Sequence, residues 1–447
     1  MESSFEFLRF VQSKDLSFWD VKTYSCKSVC SQFVVIKLKD YLTEQNKKEK
    51  LFKYPNKYFK ILGVNNQNGL FDAYEEQGKN INQPYKKVED GWFAYNPYRV
   101  NVGSIGLKSA QQNNEYISPA YVVFSCKNAL LPDYLNVIIK TKFFNEAIKA
   151  NTTGSVRQTL GFNNLCNIEI PLPSIERQKE LVAQYNALLN LAKDKENQAK
   201  EIEKSIDDYL MVELGIENNF ATTSQNLFQV VNYTKLDKWE LNKKFILSAK
   251  YNLVDLDKNA SLFTLFKRGK SPKYQEHSHC YAINQKCIRL GYIDLQYKKF
   301  IDDKWNASIN MELKTKIGDI LINSTGEGTI GRAAIVDKEC TDLVYDSHIL
   351  NLRLNSQYIY PLYFVKIFNS FFVQRQIDFL KSGTSTKQTE LGVENAKKIL
   401  IPLPPLNIQN KIVQEITSRN KQIQDLQEES EKLRSQALSD FEKEVFN

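Results

Sequence analysis

Histidine is almost missing from this chain: His277, His279 and His348 are the only three in 447 residues. A catalytic triad built on an imidazole base therefore has little material to work with. Cysteine is sparse too, with seven residues scattered without a repeating short spacing. An odd, unpatterned set suits free thiols in a reducing compartment better than a disulfide framework, so no disulfides are expected. No run of about 18 apolar residues occurs, and the start MESSFEFLRFVQSKD has no basic segment leading into an apolar one. Neither a membrane span nor a secretion signal is expected, and the cytoplasm is the expected location. An acidic surplus is also lacking. Lys plus Arg number 60 against 52 for Asp plus Glu, a formal charge of +8 that mildly favours a polyanionic partner.

What the chain does have is itself, twice. IPLPSIERQKELVAQY at 170–185 returns as IPLPPLNIQNKIVQEI at 401–416, displaced by 401 − 170 = 231 positions. With two copies only, the repeat means internal pseudo-twofold symmetry and not a solenoid. Each copy opens a long polar helix pattern. In the first, Leu181, Tyr185, Leu188, Ala192, Ala199, Ile202, Ile206 and Tyr209 follow heptad steps broken by Lys195. In the second, Ile412, Ile416, Ile423, Leu426, Leu433 and Ala437 do so, with Arg419 and Ser430 as polar interruptions. Two apolar positions per heptad make a seam that needs another such helix beside it. The obvious mate is the other copy in an antiparallel pair; a coiled coil made for oligomerisation is the competing reading. Proline at the first turn suits each start, and Gly215 suits the end of the first helix.

The stretches around these helices are rich in Tyr, Phe, Asn, Ile and Val, in short alternating runs that read as strands. The expected organisation is α+β: a strand-rich globular domain over 1–170, a coiled-coil helix over 171–215, a second globular domain over 216–400 and a second helix over 401–447. The globular stretches share a faint frame. GWFAYN (91–96) leads to GSIG (103–106), as GDILIN (318–323) leads to GTIG (328–331). Trp19 and Asp20 answer Trp239 and Glu240, and RQTLG (157–161) answers KQTELG (387–392). Similar frames with otherwise different residues point to two recognition tasks.

Three motifs invite a catalytic reading, and each has a plainer one. Gly326, Gly328 and Gly331 spell GxGxxG, but the following RAAIVD is short and β-like where a dinucleotide fold needs a helix, so a turn between strands is expected. Asn96, Pro97 and Tyr98 resemble the adenine-holding signature of amino-methyltransferases with one proline missing, and a tight turn explains them better. His277, His279, Cys280 and Cys287 fit no common zinc spacing, and no bound metal is expected. Basic and amide residues interleaved with Tyr do gather in predicted turns: LFKRGKSPKYQ (265–275), INQKCIR (283–289), NPYRVN (96–101) and SGTSTKQ (382–388). Arg and Lys reach guanine edges or phosphates, and Asn and Gln pair with adenine, so these turns are the candidate DNA contacts. The residues singled out are Asn96, Arg99, Asn101 and Lys108 in the first half, and Lys270, Lys273, Asn284, Lys286, Asn323 and Arg332 in the second.

The duplicated IPLP segment with Gln178 and Gln409 in the helix starts, the helix after each, and the segments GDILINSTGEGTIGRAAIVD and GWFAYNPYRVNVGSIGL carry a resemblance. The chain resembles, over essentially its whole length, the specificity subunit of type I restriction-modification systems. It departs from the family's helix starts at Ser174, Arg177 and Ile408. The resemblance implies two target recognition domains, each reading one half of an interrupted double-stranded DNA site, with the helices setting the spacer. It implies partners as well: two modification (methyltransferase) subunits on the helices and, through them, the restriction subunits. S-adenosylmethionine, ATP and Mg would belong to those partners, leaving this chain non-catalytic and without a cofactor. The alternatives are a coiled-coil interaction scaffold and an autonomous methyltransferase.

Overall fold

Both copies of the IPLP segment form a short strand edge followed at once by a long helix. The computed structural model describes residues 29–66, 68–99, 103–127, 129–152, 159–216, 248–326, 328–381 and 390–446. Trp19, Asp20, Trp239, Glu240 and Asn101 lie outside those residues, as does SGTSTKQ. Two compact units divide the chain, residues 1–196 with 427–447 and residues 197–426. Each unit thus holds one strand-rich head and a portion of both helices.

The first unit begins with β1 (Val35–Lys37), β2 (Leu42–Glu44), β3 (Lys48–Glu49), the long hairpin β4 (Tyr58–Asn65) and β5 (Gly69–Gln77), and β6 (Tyr85–Lys87). It continues through β7 (Phe93–Tyr95), β8 (Ile105–Leu107), β9 (Tyr116–Ile117) and β10 (Val122–Cys126). Then come α1 (Pro132–Ile138), α2 (Lys142–Asn151), α3 (Phe162–Cys166), β11 (Glu169–Pro171) and α4 (Ile175–Leu214). One sheet has the order β2-β10-β7-β8 and another β3-β6-β9-β4-β5, while β1 pairs antiparallel with β11. The core joins Phe93, Tyr95, Phe124, Tyr134 and Phe144 to Leu181 and Tyr185 of the first long helix and to Ala437 and Phe441 of the second.

In the second unit β12 (Leu253–Val254), β13 (Phe263–Arg268), β14 (Cys280–Ile283) and β15 (Lys299–Ile301) precede α5 (Asp303–Ser308). Next are β16 (Ile320–Asn323), β17 (Ala333–Ile335), β18 (Val344–Tyr345) and β19 (Ile349–Leu354). The unit ends with α6 (Pro361–Phe368), α7 (Phe371–Leu380), α8 (Val393–Lys397), β20 (Ile401–Pro402) and α9 (Leu406–Phe446). Its main sheet, β13-β19-β16-β17, has the pattern of the first unit's four-stranded sheet, and β12 pairs antiparallel with β20 as β1 does with β11. The expected α+β class, with strand-rich domains and long helices, is what the chain adopts.

The repeated glutamines explain the repeated segment. Gln178 is fully buried; its Nε2 donates to the carbonyls of Ala129 and Pro173 at 3.0 and 2.9 Å, and its Oε1 accepts from the Leu131 N–H at 2.9 Å. Gln409 repeats this with Tyr358 and Pro404 at 3.0 and 2.9 Å and the Tyr360 N–H at 2.9 Å. In each unit one side chain ties the start of a long helix to the loop that opens a short helix of the head. Tyr134 and Tyr363 add a hydroxyl bond to the carbonyls of Pro171 and Pro402, at 2.9 and 2.7 Å. The prolines precede the helices and do not occupy their first turn. Ser174 caps the first helix, accepting from the Arg177 N–H at 3.3 Å, and Arg177 pairs with Glu180 and Glu444.

The helices pair within the chain, antiparallel in both units. In the first, Tyr185 meets Phe441 with ring centroids 6.2 Å apart, Lys195 pairs with Glu429 at 2.7 Å, and Glu196 accepts from Ser430 and Arg434 at 2.9 Å each. In the second, Arg419 donates to the Ser205 carbonyl and hydroxyl at 2.9 and 2.8 Å and lies 4.8 Å from the Tyr209 ring centroid, while Lys411 pairs with Glu213. The polar interruptions Lys195, Arg419 and Ser430 are therefore cross-helix bonds that fix register. The first helix stops at Gly215, whose φ of +58° is the left-handed geometry of a helix end.

Candidate nucleic-acid interface

Each head presents a turn at the end of its central strand, and hydrogen bonds hold that turn to the rest of the head. In the first unit the chain leaves β7 at Asn96, whose Oδ1 accepts from the Tyr98 N–H at 3.0 Å. The Arg99 N–H returns to the Asn96 carbonyl at 3.0 Å, and Asn96 N–H reaches the Ser104 carbonyl at 3.1 Å. Leu160, fully buried, donates its N–H to the Pro97 carbonyl at 3.0 Å. The tripeptide Asn96-Pro97-Tyr98 is thus the tight turn its sequence suggests.

The second unit repeats the plan with more wiring. The Asn323 N–H bonds the Arg332 carbonyl at 2.9 Å and the Gly331 N–H bonds the Asn323 carbonyl at 2.8 Å, closing a turn between β16 and β17. No helix follows it, so the GxGxxG glycines form a turn between strands. Buried Leu391 donates to the Ser324 carbonyl at 2.7 Å, the counterpart of the Leu160 bond and the reason for the RQTLG/KQTELG echo. Strand register also fixes which glycines correspond. Ala94 pairs with Gly106 and Leu321 with Ala334, which places Gly103 opposite Gly331 in role and makes the second turn one residue longer.

Around this turn four further segments converge. Gln285 donates through Nε2 to the Thr325 carbonyl at 3.0 Å and also meets the Thr325 hydroxyl; Asn323 Nδ2 donates to the Gln285 carbonyl at 3.2 Å. The Thr325 hydroxyl lies 3.0 Å from His348 Nδ1. Arg268, at the end of β13, bonds the Ser347 carbonyl and Glu390. The Tyr274 hydroxyl donates to Asp346, whose other oxygen accepts from the His348 N–H at 3.0 Å. Burial, then the Asp346 carboxylate, pushes the Tyr274 phenol above its ordinary pKa, so it stays a donor.

The ten candidate contacts fall into distinct places. Arg99, Lys270, Lys273 and Lys286 are exposed on the turns, and Asn96 and Arg332 are half-buried there, Arg332 reaching the Gly328 carbonyl at 3.4 Å. Asn101 lies outside the described residues. Three others are turned inward, against the expectation that they face DNA. Lys108 is buried with its Nζ 2.5 Å from Asp90. Asn284 is buried and donates to the Tyr297 carbonyl while capping the Lys286 N–H at 2.8 Å, and Asn323 is fully buried on Gln285. These bonds shape the turns, although the Oδ1 of Asn323, also buried, has no hydrogen-bond partner among the described residues. Arg268, Gln285 and Thr325 hold the second cluster together, and their long-range pairing has no signature in sequence spacing. The His277, His279, Cys280 and Cys287 set is split: Cys287 is buried beside Ile283, Ile288 and Cys340, whereas both histidines are exposed. Among the described residues no group of three or more His, Cys, Asp or Glu is placed to hold a metal, the six cysteines are free, and no helix is long and apolar enough to cross a membrane.

Residues 258–434 match the family model of the type I restriction modification DNA specificity domain. No curated protein matches the sequence. Among solved structures, one from work on complex assembly and conformational transition of the type I R-M system is similar over 94% of this chain and 98% of its own, at 14% identity and a TM-score of 0.57. That likeness is one of fold. The HsdS subunit from Thermoanaerobacter tengcongensis (14% identity, 95% and 99% covered, TM-score 0.45) and a type I system S subunit from M. genitalium (14%, 92% and 96%, 0.41) also match.

Proposed function

We propose that this chain, whose residues 258–434 match the family model of the type I restriction modification DNA specificity domain, is the DNA-recognition subunit of such a system. The family match over the second head is the observation that carries this reading. The repeated architecture extends it to the first head, which has the same sheet order, the same glutamine joint and the same leucine-held turn. Each head reads one half of an interrupted site. Most affinity comes from phosphate contacts, and discrimination comes from a few side chains on the turns. Arg99, Lys270, Lys273, Lys286 and Arg332 are the side chains best placed to make either kind of contact.

The chain itself performs no chemistry. Two methyltransferase subunits dock on the helices and carry S-adenosylmethionine, and restriction subunits using ATP and Mg join through them. Seam residues pack into the core of their own unit, Leu181, Tyr185 and Ala437 in the first and Ile412 and Ile416 in the second, which weighs against reading the helices as an oligomerising scaffold. Selection of duplexes from a random-sequence pool by the full chain tests the proposal: enrichment of a two-part motif is expected, and a pool with no enriched motif overturns it. Methylome sequencing of cells with and without the chain should show the same motif.

A further inference from the structure

The first unit carries a second basic surface, away from the Asn96 turn. Lys47, Lys48, Lys50, Lys53, Lys57 and Lys60 stand within fourteen residues with Glu49 as the single acid, so six minus one leaves +5 in this stretch of a chain whose total is +8. All six are exposed, and the lysines that form described ion pairs are others. Glu49 is occupied by the Tyr116 hydroxyl at 3.0 Å, and across the hairpin Lys60 is opposite Glu75. Between the lysines Phe52, Tyr54 and Tyr58 are 38%, 61% and 62% exposed.

A lysine run is usually the solvated face of a loose loop, but this one is built. Leu51 is buried with Phe59, Ile61 and Ile81. A 3-10 turn over Leu51–Lys53 closes with the Tyr54 N–H on the Leu51 carbonyl at 3.0 Å, and the Lys57 N–H bonds the Tyr54 carbonyl at 3.1 Å. The end of β5 then clasps the loop, Gly78 N–H on the Lys57 carbonyl at 2.8 Å and Lys79 N–H on the Pro55 carbonyl at 3.1 Å. A Cβ at Gly78 would lie 2.2 Å from the Tyr54 oxygen, so this clasp needs glycine. At the other end of the hairpin Asn66 lies against the Asn96 turn, 3.6 Å from where a Cβ on Gly103 would be. From Tyr58 to Asn65, seven steps of about 3.3 Å separate platform and turn by about 23 Å, or roughly seven base pairs at 3.4 Å each.

We infer that this platform grips the phosphate backbone of duplex DNA about seven base pairs outward from the bases that face the Asn96 turn, as a sequence-independent anchor. The inference rests on the reading of the chain as a DNA-recognition subunit. Lysines held on an ordered loop neutralise phosphates and release counterions, and the hydroxyls of Tyr54 and Tyr58 are donors to phosphate oxygens. The partner is duplex DNA because the platform shares its hairpin with the turn that faces the duplex.

The test uses the full chain and its K47Q/K48Q/K53Q/K57Q variant. Anisotropy titrations at several salt concentrations would use a duplex with the selected motif, either with a flank of about 15 base pairs beyond the first half-site or trimmed to the motif, a difference that spans the expected offset. The variant should select the same motif, its log–log salt slope should be shallower by about 2 to 4, and trimming should no longer weaken it. The four-arginine counterpart should restore the slope, which a merely structural role would not require. Unchanged slope and unchanged flank dependence overturn the inference, as does a loss confined to RNA or an acidic polypeptide; the parental motif then still supports the reading beneath it. A parent that selects no motif overturns that reading first.

Discussion

Two glutamines show how much one side chain can fix. Leucine at Gln178 would leave the Leu131 N–H and the carbonyls of Ala129 and Pro173 without their partner. The Pro173 bond is buried and the other two are half-buried, so at about 1 to 3 kcal/mol for a buried group left unpaired Gln178→Leu should lower stability by about 1 to 3 kcal/mol. Urea unfolding followed by hydrogen exchange should show the loss in the first unit and leave the second protected; equal loss in both would count against a local joint. The exposed basic residues are judged by DNA binding instead. Alanine at a residue that reads a base, with Arg99 and Lys286 as the first to try, should relax one motif position by about 1 to 3 kcal/mol, whereas loss of a phosphate contact weakens all sequences alike. If neither substitution changes motif or salt slope, these turns do not contact DNA. Lys108 and Lys286 are the same residue type in similar polar turns, yet one is buried on Asp90 and the other exposed. Composition names candidates; only packing sorts them.

The helices were legible in the sequence because a heptad seam repeats over many turns, and α4 and α9 run for 40 and 41 residues. The heads were legible only as strand-rich stretches. Their strands are short, several of two or three residues, and pairings such as Val35 with Pro171 join segments far apart in the chain. Local propensity does not encode such contacts. Lys195, Arg419 and Ser430 read as flaws in the seam, but Ser430 is fully buried on Glu196 and the half-buried Arg419 bonds Ser205. Polar contacts of this kind set register at some cost in stability. Replacing Glu196 and Ser430 together by leucine should raise the thermal midpoint of the first unit while producing larger species in sedimentation. A variant that stays a single species of unchanged mass would show that the polar pair does not specify the partner.

At the scale of the whole molecule the duplication matters most, because both helices contribute residues to both units. Removing one heptad from each helix shortens it by about 10 Å. The preferred gap between half-sites should then shrink by about three base pairs of 3.4 Å, read by selection from a pool with variable spacers. Full affinity for the unchanged gap would refute a measuring role for the helices. The glutamine joints have a further consequence. Gln178 and Gln409 recognise only main-chain atoms of the heads, the carbonyls of Ala129 and Tyr358 and the N–H groups of Leu131 and Tyr360. The identity of the side chains there is invisible to the joint. A head of different sequence grafted at the IPLP boundary should therefore keep these bonds, provided that it supplies the tyrosine that reaches the IPLP carbonyl and the apolar face that packs on the helices.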